Sequence, residues 1–260
     1  MTTFDTIKVE EHDDGIVMIM VSRPDKLNAL NPQVLSELKE AATALHDRQD
    51  LRVVILTGEG RAFVAGADIA AMNAFTADEA LEFGRAGHQT MNAISAIPVP
   101  VIAAVNGFAL GGGLELALSC DLIYVSSKAK LGLPEVGLGI IPGFGGTQRL
   151  GRFIGWHAAR ELVFTGRTID AEEAHRLGLA LDVIELEGFA DKIFENARLI
   201  ASRGPIAVRV AKRIMREGRE LPLDAANRRE VESFAGLWET EDRTEGMAAF
   251  LEKRQAGFKG

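Results

Sequence analysis

The chain has 260 residues, enough for one large domain or one domain with a small appendage. Its 47% hydrophobic and 25% charged residues are ordinary for a globular protein that buries a sizeable core. A formal charge of −8 argues against nucleic acid and anionic lipid as partners, so an anionic ligand would need a local basic patch.

Asp5, Glu10, Glu11, Asp13 and Asp14 make the first fifteen residues wrong for a secretory signal and too acidic for a transit peptide. The single cysteine, Cys120, cannot close an intramolecular disulfide. Both features lead to the expectation of a cytoplasmic protein. Ile16–Val21 (IVMIMV) has the pattern of a buried strand. Asn31-Pro32 then opens a helix with a capping side chain and proline at the first helical position, and Val34, Leu35, Leu38, Ala41, Ala42 and Leu45 give it one apolar face. Residues 53–56 form a second apolar run that stops at Thr57-Gly58. Thr76 and Glu79 form a capping box for a helix that must end before Pro98 and Pro100.

Residues 99–120 are the most membrane-like stretch, yet Pro100, Asn106, Gly107, three consecutive glycines and Glu115 interrupt them. They predict a strand over Val101–Val105, a tight turn at Asn106-Gly107 and a helix over 114–119, followed by a strand over 122–125. The units starting at Val53 and Val101 look alike: apolar strand, polar-glycine step, small-residue loop, helix. Alternating strands and helices argue for an α/β fold with parallel pairing. Beyond about Thr165 strands nearly stop. Asp170 and Glu173 cap a short helix ending at Gly178, residues 181–184 make a last brief strand, and residues 193–200, 206–215, 223–237 and 244–255 read as helices.

Candidate chemistry gathers in three places. Gly111-Gly112-Gly113 directly precedes a helix and frees backbone N–H groups at its positive end, which suits an anion or a developing oxyanion; a tight turn packing that helix on a strand is the structural alternative. Residues 62–68 (AFVAGAD) follow the other strand in the same manner, and an oxyanion hole needs two donors from separate segments. Glu115 and Glu135 supply two carboxylates on neighbouring elements. Taken singly, Glu115 reads as a solvent-facing residue of a first helical turn and Glu135 as a loop residue paired with Arg149. Beside a candidate oxyanion hole, such a pair can hold one water and divide into an acid and a base. The five histidines have no metal-ligand spacing, no GxSxG elbow is present, and residues 143–147 (GFGGT) complete no dinucleotide fingerprint. Residues 198–219 carry seven Lys/Arg against the single acid Glu217, an RNA-binding face or, the expected reading, a solvated or interface helix.

Residues 62–72 (AFVAGADIAAM), 102–121 (IAAVNGFALGGGLELALSCD) and 131–150 (LGLPEVGLGIIPGFGGTQRL) resemble the signature blocks of the enoyl-CoA hydratase (crotonase) family, and the likeness continues through 165–179 and 240–259. The resemblance implies an α/β crotonase superhelix of ββα units with a C-terminal helical region. It also implies a core over residues 1–199 and a segment over 200–260 for oligomerisation and active-site closure, assembled as a homo-trimer or dimer of trimers. The implied activity is reversible hydration of a trans-2-enoyl-CoA. The thioester belongs to the substrate and no further cofactor or metal is expected.

By that analogy the N–H groups of Ala67 and Gly112 hold the thioester oxygen, Glu115 activates water for attack at C3, and Glu135 delivers the proton to C2. Lys26, Ala29, Ala65, Asp68 and Ile69 would line the CoA channel, Gly111, Pro134 and Gly143 would contact substrate, and Phe250 and Lys253 would reach the nucleotide end of CoA from a neighbouring subunit. Ala70 and Val64 stand where many relatives have lysine and cysteine. Double-bond isomerisation, acyl-CoA hydrolysis and RNA binding on the same scaffold are the alternatives; the presence of Glu115 argues for hydration over isomerisation.

Overall fold

The structure, a computed structural model, describes residues 4–260. It opens with a hairpin, β1 (Ile7–His12) and β2 (Ile16–Val21), which turns through Asp14 and Gly15, both at positive φ. Helix α1 (Pro32–Ala44) starts where expected, with the Asn31 side chain accepting from the Val34 N–H at 2.9 Å. Three turns of one pattern follow. The first runs through β3 (Val53–Gly58), β4 (Ala62–Val64), the short α2 (Ile69–Met72) and α3 (Ala77–Ala96), whose N-terminus carries the expected capping box. The second is β5 (Val101–Val105), β6 (Phe108–Leu110) and α4 (Gly112–Ala117). The third is β7 (Leu122–Ser126), β8 (Lys130–Gly132), a 3-10 turn over Pro134–Leu138, α5 (Gly146–Ile154) and α6 (Trp156–Thr165).

Each turn therefore adds one strand to each of two sheets. The larger has the order β1-β2-β3-β5-β7-β10 and the smaller β4-β6-β8-β9, with β9 at Thr168–Asp170 and β10 at Asp182–Ile184. Within the three turns all pairing is parallel. That is the geometry of a superhelix of ββα units. The regions read from sequence as small-residue loops thus contain the second strands, and a third turn joins the two anticipated. β1 and β9 were also not anticipated. β9, like β4, β6 and β8, has three residues, too few to show alternation, and its neighbour in space defines it; β1 is six residues long, but only Ile7 is buried and Val9 half-buried among polar side chains.

Apolar residues explain why the large sheet is sandwiched. Leu35 and Leu38 of α1 and Met91 and Ile94 of α3 pack with Val17, Ile19, Val54 and Leu56 on one face. Phe189, Ile193 and Ala197 of α8 (Phe189–Ala201) cover Ile16, Val53, Ile55 and Ile102 on the other, after α7 (Ala171–Arg176) has closed the third turn. Burial on both faces is why β3 and β5 are continuous apolar runs. The chain ends in α9 (Pro205–Gly218), α10 (Leu223–Gly236) and α11 (Glu241–Glu252).

Three of the seven basic residues over 198–219 are spent on the protein itself. Arg209 donates to the carbonyls of Arg48, Gln49 and Leu51, Lys212 to Val99 O and Asp121, and Arg216 to Ser95 O. This is an interface helix, as expected, with its own core as the partner. Among the described residues no helix is long and apolar enough to cross a membrane.

Candidate active site

Each superhelical turn delivers one part of the site. In the first, β4 runs into Ala65-Gly66-Ala67-Asp68, and the Asp68 side chain caps α2. The segment 27–30 braces this loop: Ala65 N–H donates to Leu27 O, Leu30 N–H to Gly66 O and Asp68 N–H to Leu30 O, at 3.0, 2.8 and 2.8 Å. Asn28, fully buried, fastens that segment in turn. Its amide donates to the carbonyls of Glu59, Ala62 and Phe63, and its Oδ1 accepts from the Arg23 N–H.

In the second turn, β6 leads into the glycine run. Gly111 has φ +50° and α4 starts at Gly112. A side chain on Gly113 would put its Cβ 1.9 Å from Val64 O, so glycine lets α4 sit directly against β4. The expected structural reason for the run and the expected functional one therefore coexist. The two loops, with Ala67 and Gly112, border one cavity of about 630 Å³. Among the described residues neither of these two N–H groups is donated to a protein acceptor.

Glu115, one turn into α4, is 1% exposed, so the alternative of a solvent-facing helix residue is overturned. Its Oε1 accepts from the N–H of Phe144 at 2.8 Å and of Gly146 at 2.7 Å. These amides open α5, and Gly145 just before it adopts φ +108°. Burial raises the Glu115 pKa, and the amides of Gly146 and Phe144 together with the Arg149 guanidinium act against that rise.

Glu135, on the 3-10 turn of the third unit, borders the same cavity. Its Oε2 is buried without a hydrogen-bond partner, and its Oε1 stands 2.6 Å from where a Cβ on Gly111 would lie. Any side chain at position 111 would displace the carboxylate. Burial, reinforced by the neighbouring Glu115, pushes the Glu135 pKa up to about 7. The alternative pairing of Glu135 with Arg149 is not formed. Arg149 donates instead to Phe144 O and to Asn92 Oδ1, at 2.8 and 3.0 Å.

The remaining wall is apolar. Phe83 stacks edge-on against both Phe144 and Phe75, and Phe144 lies over Gly87, where a Cβ would clash at 2.0 Å. Ile69, Met72, Leu138, Ile140 and Ile141 complete the wall. Of the residues expected to contact substrate, Ala65, Ile69, Gly111, Pro134 and Gly143 border the cavity. Lys26, Ala29 and Asp68 stand outside it in this chain. Ala29 O and Asp68 are both taken by the Arg23 guanidinium, and Lys26 projects from an exposed turn. Phe250, 83% exposed on α11, and Lys253, its left-handed cap, do not border it either. The sequence reading does not supply the amides of Phe144 and Gly146; the signal that points to them is Gly145-Gly146 directly ahead of a helix. No group of three or more His, Cys, Asp or Glu side chains among the described residues could hold a metal ion. Burial raises the Cys120 thiol pKa far above neutrality, which removes it as a nucleophile.

Comparison with known proteins gives this arrangement its family. Residues 11–260 match the enoyl-CoA hydratase/isomerase family. The chain belongs to it. A crotonyl-CoA hydratase of Syntrophomonas wolfei is 47% identical over 249 residues, covering 95% of this chain and 96% of that relative. A short-chain-enoyl-CoA hydratase of Clostridium acetobutylicum is 43% identical, covering 96% of both chains. The crystal structure of an enoyl-CoA hydratase from Bacillus anthracis superposes with a TM-score of 0.96 at 42% identity, over 98% of this chain and all of that one. The enoyl-CoA hydratase/isomerase fold is thus the crotonase superhelix expected from the signature blocks.

Proposed function

We propose that this enzyme adds water reversibly to the double bond of a trans-2-enoyl-CoA, giving the 3-hydroxyacyl-CoA. One observation carries the reading: two carboxylates from successive turns border the cavity that is also bordered by two glycine-containing loops. In the proposed mechanism the N–H groups of Ala67 and Gly112 donate to the thioester oxygen, which draws electron density from C3 and stabilises the enolate-like state. Glu115 accepts a proton from water as the water oxygen bonds to C3. Glu135, whose raised pKa lets it hold a proton near neutrality, passes that proton to C2. The proton gained by Glu115 returns to Glu135 through solvent, which resets the pair. One water and one alkene balance the reaction without an electron carrier, and CoA enters only as part of the substrate.

The family's name includes isomerases, which move a proton between two carbons and require no water. The anchoring of Glu115 by two amides favours hydration, because an isomerase cycle leaves that second carboxylate idle. We further propose that residues 1–199 form the catalytic core and residues 200–260 serve assembly as a trimer or dimer of trimers in the cytoplasm, within fatty-acid or related acyl-CoA metabolism. In support, Leu223, Val231, Phe234, Phe250 and Leu251 are large apolar side chains exposed on α10 and α11. In such an assembly Phe250 and Lys253 would contact the nucleotide end of CoA held by a neighbouring subunit, while Lys26, Ala29 and Asp68 would flank the channel mouth.

The test follows the loss of the enoyl-thioester ultraviolet absorbance across a panel of chain lengths, beginning with short chains because two relatives are named for them. Glu115→Gln and Glu135→Gln should each lower turnover by about 10²–10⁴-fold, and the double variant should lose less than the product of the two. Near-normal hydration by either single variant removes that residue from the mechanism.

A further inference from the structure

We infer that Arg149 is a positioning residue for Glu115, holding the 143–146 segment in the one arrangement that presents its amides to the carboxylate. The inference deepens the hydratase reading and rests on Glu115 acting in it. The geometry is a short chain of contacts. Glu115 Oε1 is held by the Phe144 and Gly146 N–H groups, and the carbonyl between them, Phe144 O, receives the Arg149 guanidinium at 2.8 Å. The other arm of the guanidinium is tied to Asn92 on α3 at 3.0 Å, so the loop is moored to a twenty-residue helix. Contact is close enough that a Cβ on Gly145 would lie 2.2 Å from Arg149 Nη1.

Two consequences follow from that chain. A charged donor on Phe144 O polarises the peptide whose other end is the Gly145 N–H, a third amide that acts on Glu115 beside those of Phe144 and Gly146. The guanidinium also places a positive charge behind the carboxylate, in a partly buried setting where charges are poorly screened. The other charged or titratable groups around Glu115 are Glu135 from the Pro134–Leu138 turn, His88 of α3 beside Gly145, and Arg219, which follows α9 and acts on Arg149. Among the described residues, Arg149 is the cation tied to the loop that holds Glu115, and Arg219 acts on it from outside that loop.

A residue that merely stabilised the fold would change how much enzyme is active. It would leave the pH dependence of that active enzyme alone. A positioning residue for a proton acceptor changes it in a stated direction. With the positive charge gone Glu115 holds its proton to higher pH, so the acid limb of kcat/KM moves upward.

The experiment compares wild type, Arg149→Gln, Arg149→Lys and Asn92→Ala as purified full-length enzymes. Folding is checked by circular dichroism and subunit mass, and crotonyl-CoA hydration is followed from pH 5 to 9. Arg149→Gln should raise the acid limb by about 0.5–1 pH unit and lower kcat roughly 10–100-fold with KM within about threefold of wild type. Arg149→Lys should leave the limb near its wild-type position while lowering kcat, because it keeps the charge and loses the two-armed bridge. Asn92→Ala, which frees one arm, should give a smaller fall in kcat, and it carries the test with Arg149→Lys if Arg149→Gln does not fold. In a Glu115→Gln background, adding Arg149→Gln should cost little more. If Glu115→Gln is inactive while folded Arg149 variants keep the wild-type kcat and acid limb, or lose activity with no limb shift and full additivity with Glu115→Gln, the inference is overturned and the hydratase reading stands. If Glu115→Gln is itself active, it is the hydratase mechanism that fails.

Discussion

Glu135 should reduce the stability of this protein at the pH where it is most useful. Its folded-state pKa is pushed from an ordinary value of 4.5 to about 7, chiefly by burial. Between those values the folded state binds the proton more tightly than the unfolded chain does. Stability therefore falls as pH rises through this window, and the loss is complete above about 7. At ~1.36 kcal/mol per pH unit the full difference corresponds to about 3.4 kcal/mol. Glu135 is only partly buried, and solvent screening reduces this to about 1–2 kcal/mol. Glu135→Gln keeps the shape and removes the ionisation, so the variant should nearly match wild type at about pH 4, below the ordinary value, and exceed it by about 1–2 kcal/mol at pH 8. For a chain of this length that is roughly 2–8 °C in Tm. Thermal or urea unfolding at the two pH values, at one protein concentration, measures it. Equal displacement of the variant at both pH values, or a less stable variant at pH 8, would refute the account of Glu135 as a carboxylate held in an unfavourable site. The same variant should be nearly inactive, so stability and turnover should move in opposite directions.

Other expectations follow from the same geometry. Gly112→Pro deletes one proposed oxyanion donor and, if folded, should cost on the order of 10²–10³ in turnover with free CoA binding much less affected; wild-type turnover would place the oxyanion site elsewhere. Gly112→Ala retains the N–H, and any loss there reports crowding, since its Cβ would lie 3.2 Å from Leu30 and 3.3 Å from Phe144. Asn28→Ala leaves three carbonyls without their donor and should destabilise by about 2–4 kcal/mol in urea unfolding, with Asn28→Gly relieving only the part due to its φ of +61°. Light scattering should give a mass divisible by three subunits, and a stable, fully active monomer at nanomolar concentration would contradict the proposed assembly.

What could be read from the sequence was whatever is decided within a few residues. Asn31, Thr76 and Asp170 cap the helices they were expected to cap, because a cap reaches only three residues ahead. The glycine run before Glu115 and the small residues around Ala67 could be paired as candidate loops because each follows a recognisable apolar strand. What could not be read were contacts that the superhelix makes. Glu115 is held by amides 29 and 31 residues downstream, and no local pattern records that debt. The pairing of Glu135 with Arg149 fails for the same reason: the guanidinium goes to Phe144 O and to Asn92 on α3, contacts that only the folded path of the chain defines. Strands β4, β6 and β8 were absorbed into loops, since three residues carry too little periodicity and take their register from one another.

The stacking of one strand in each sheet per turn also has a consequence for how such a protein can diverge. In the proposed mechanism the parts of the site enter in order along the chain: carbonyl polarisation from the first and second turns, the water-activating carboxylate from the second, the proton donor and the mooring of the loop from the third. Because neighbouring turns are joined by backbone ladders that do not include the Pro134–Leu138 turn, a mutation in that turn can alter the proton donor proposed there and leave those ladders in place. A lineage can therefore try new acid–base chemistry while keeping its grip on the thioester, one rung of the spiral at a time.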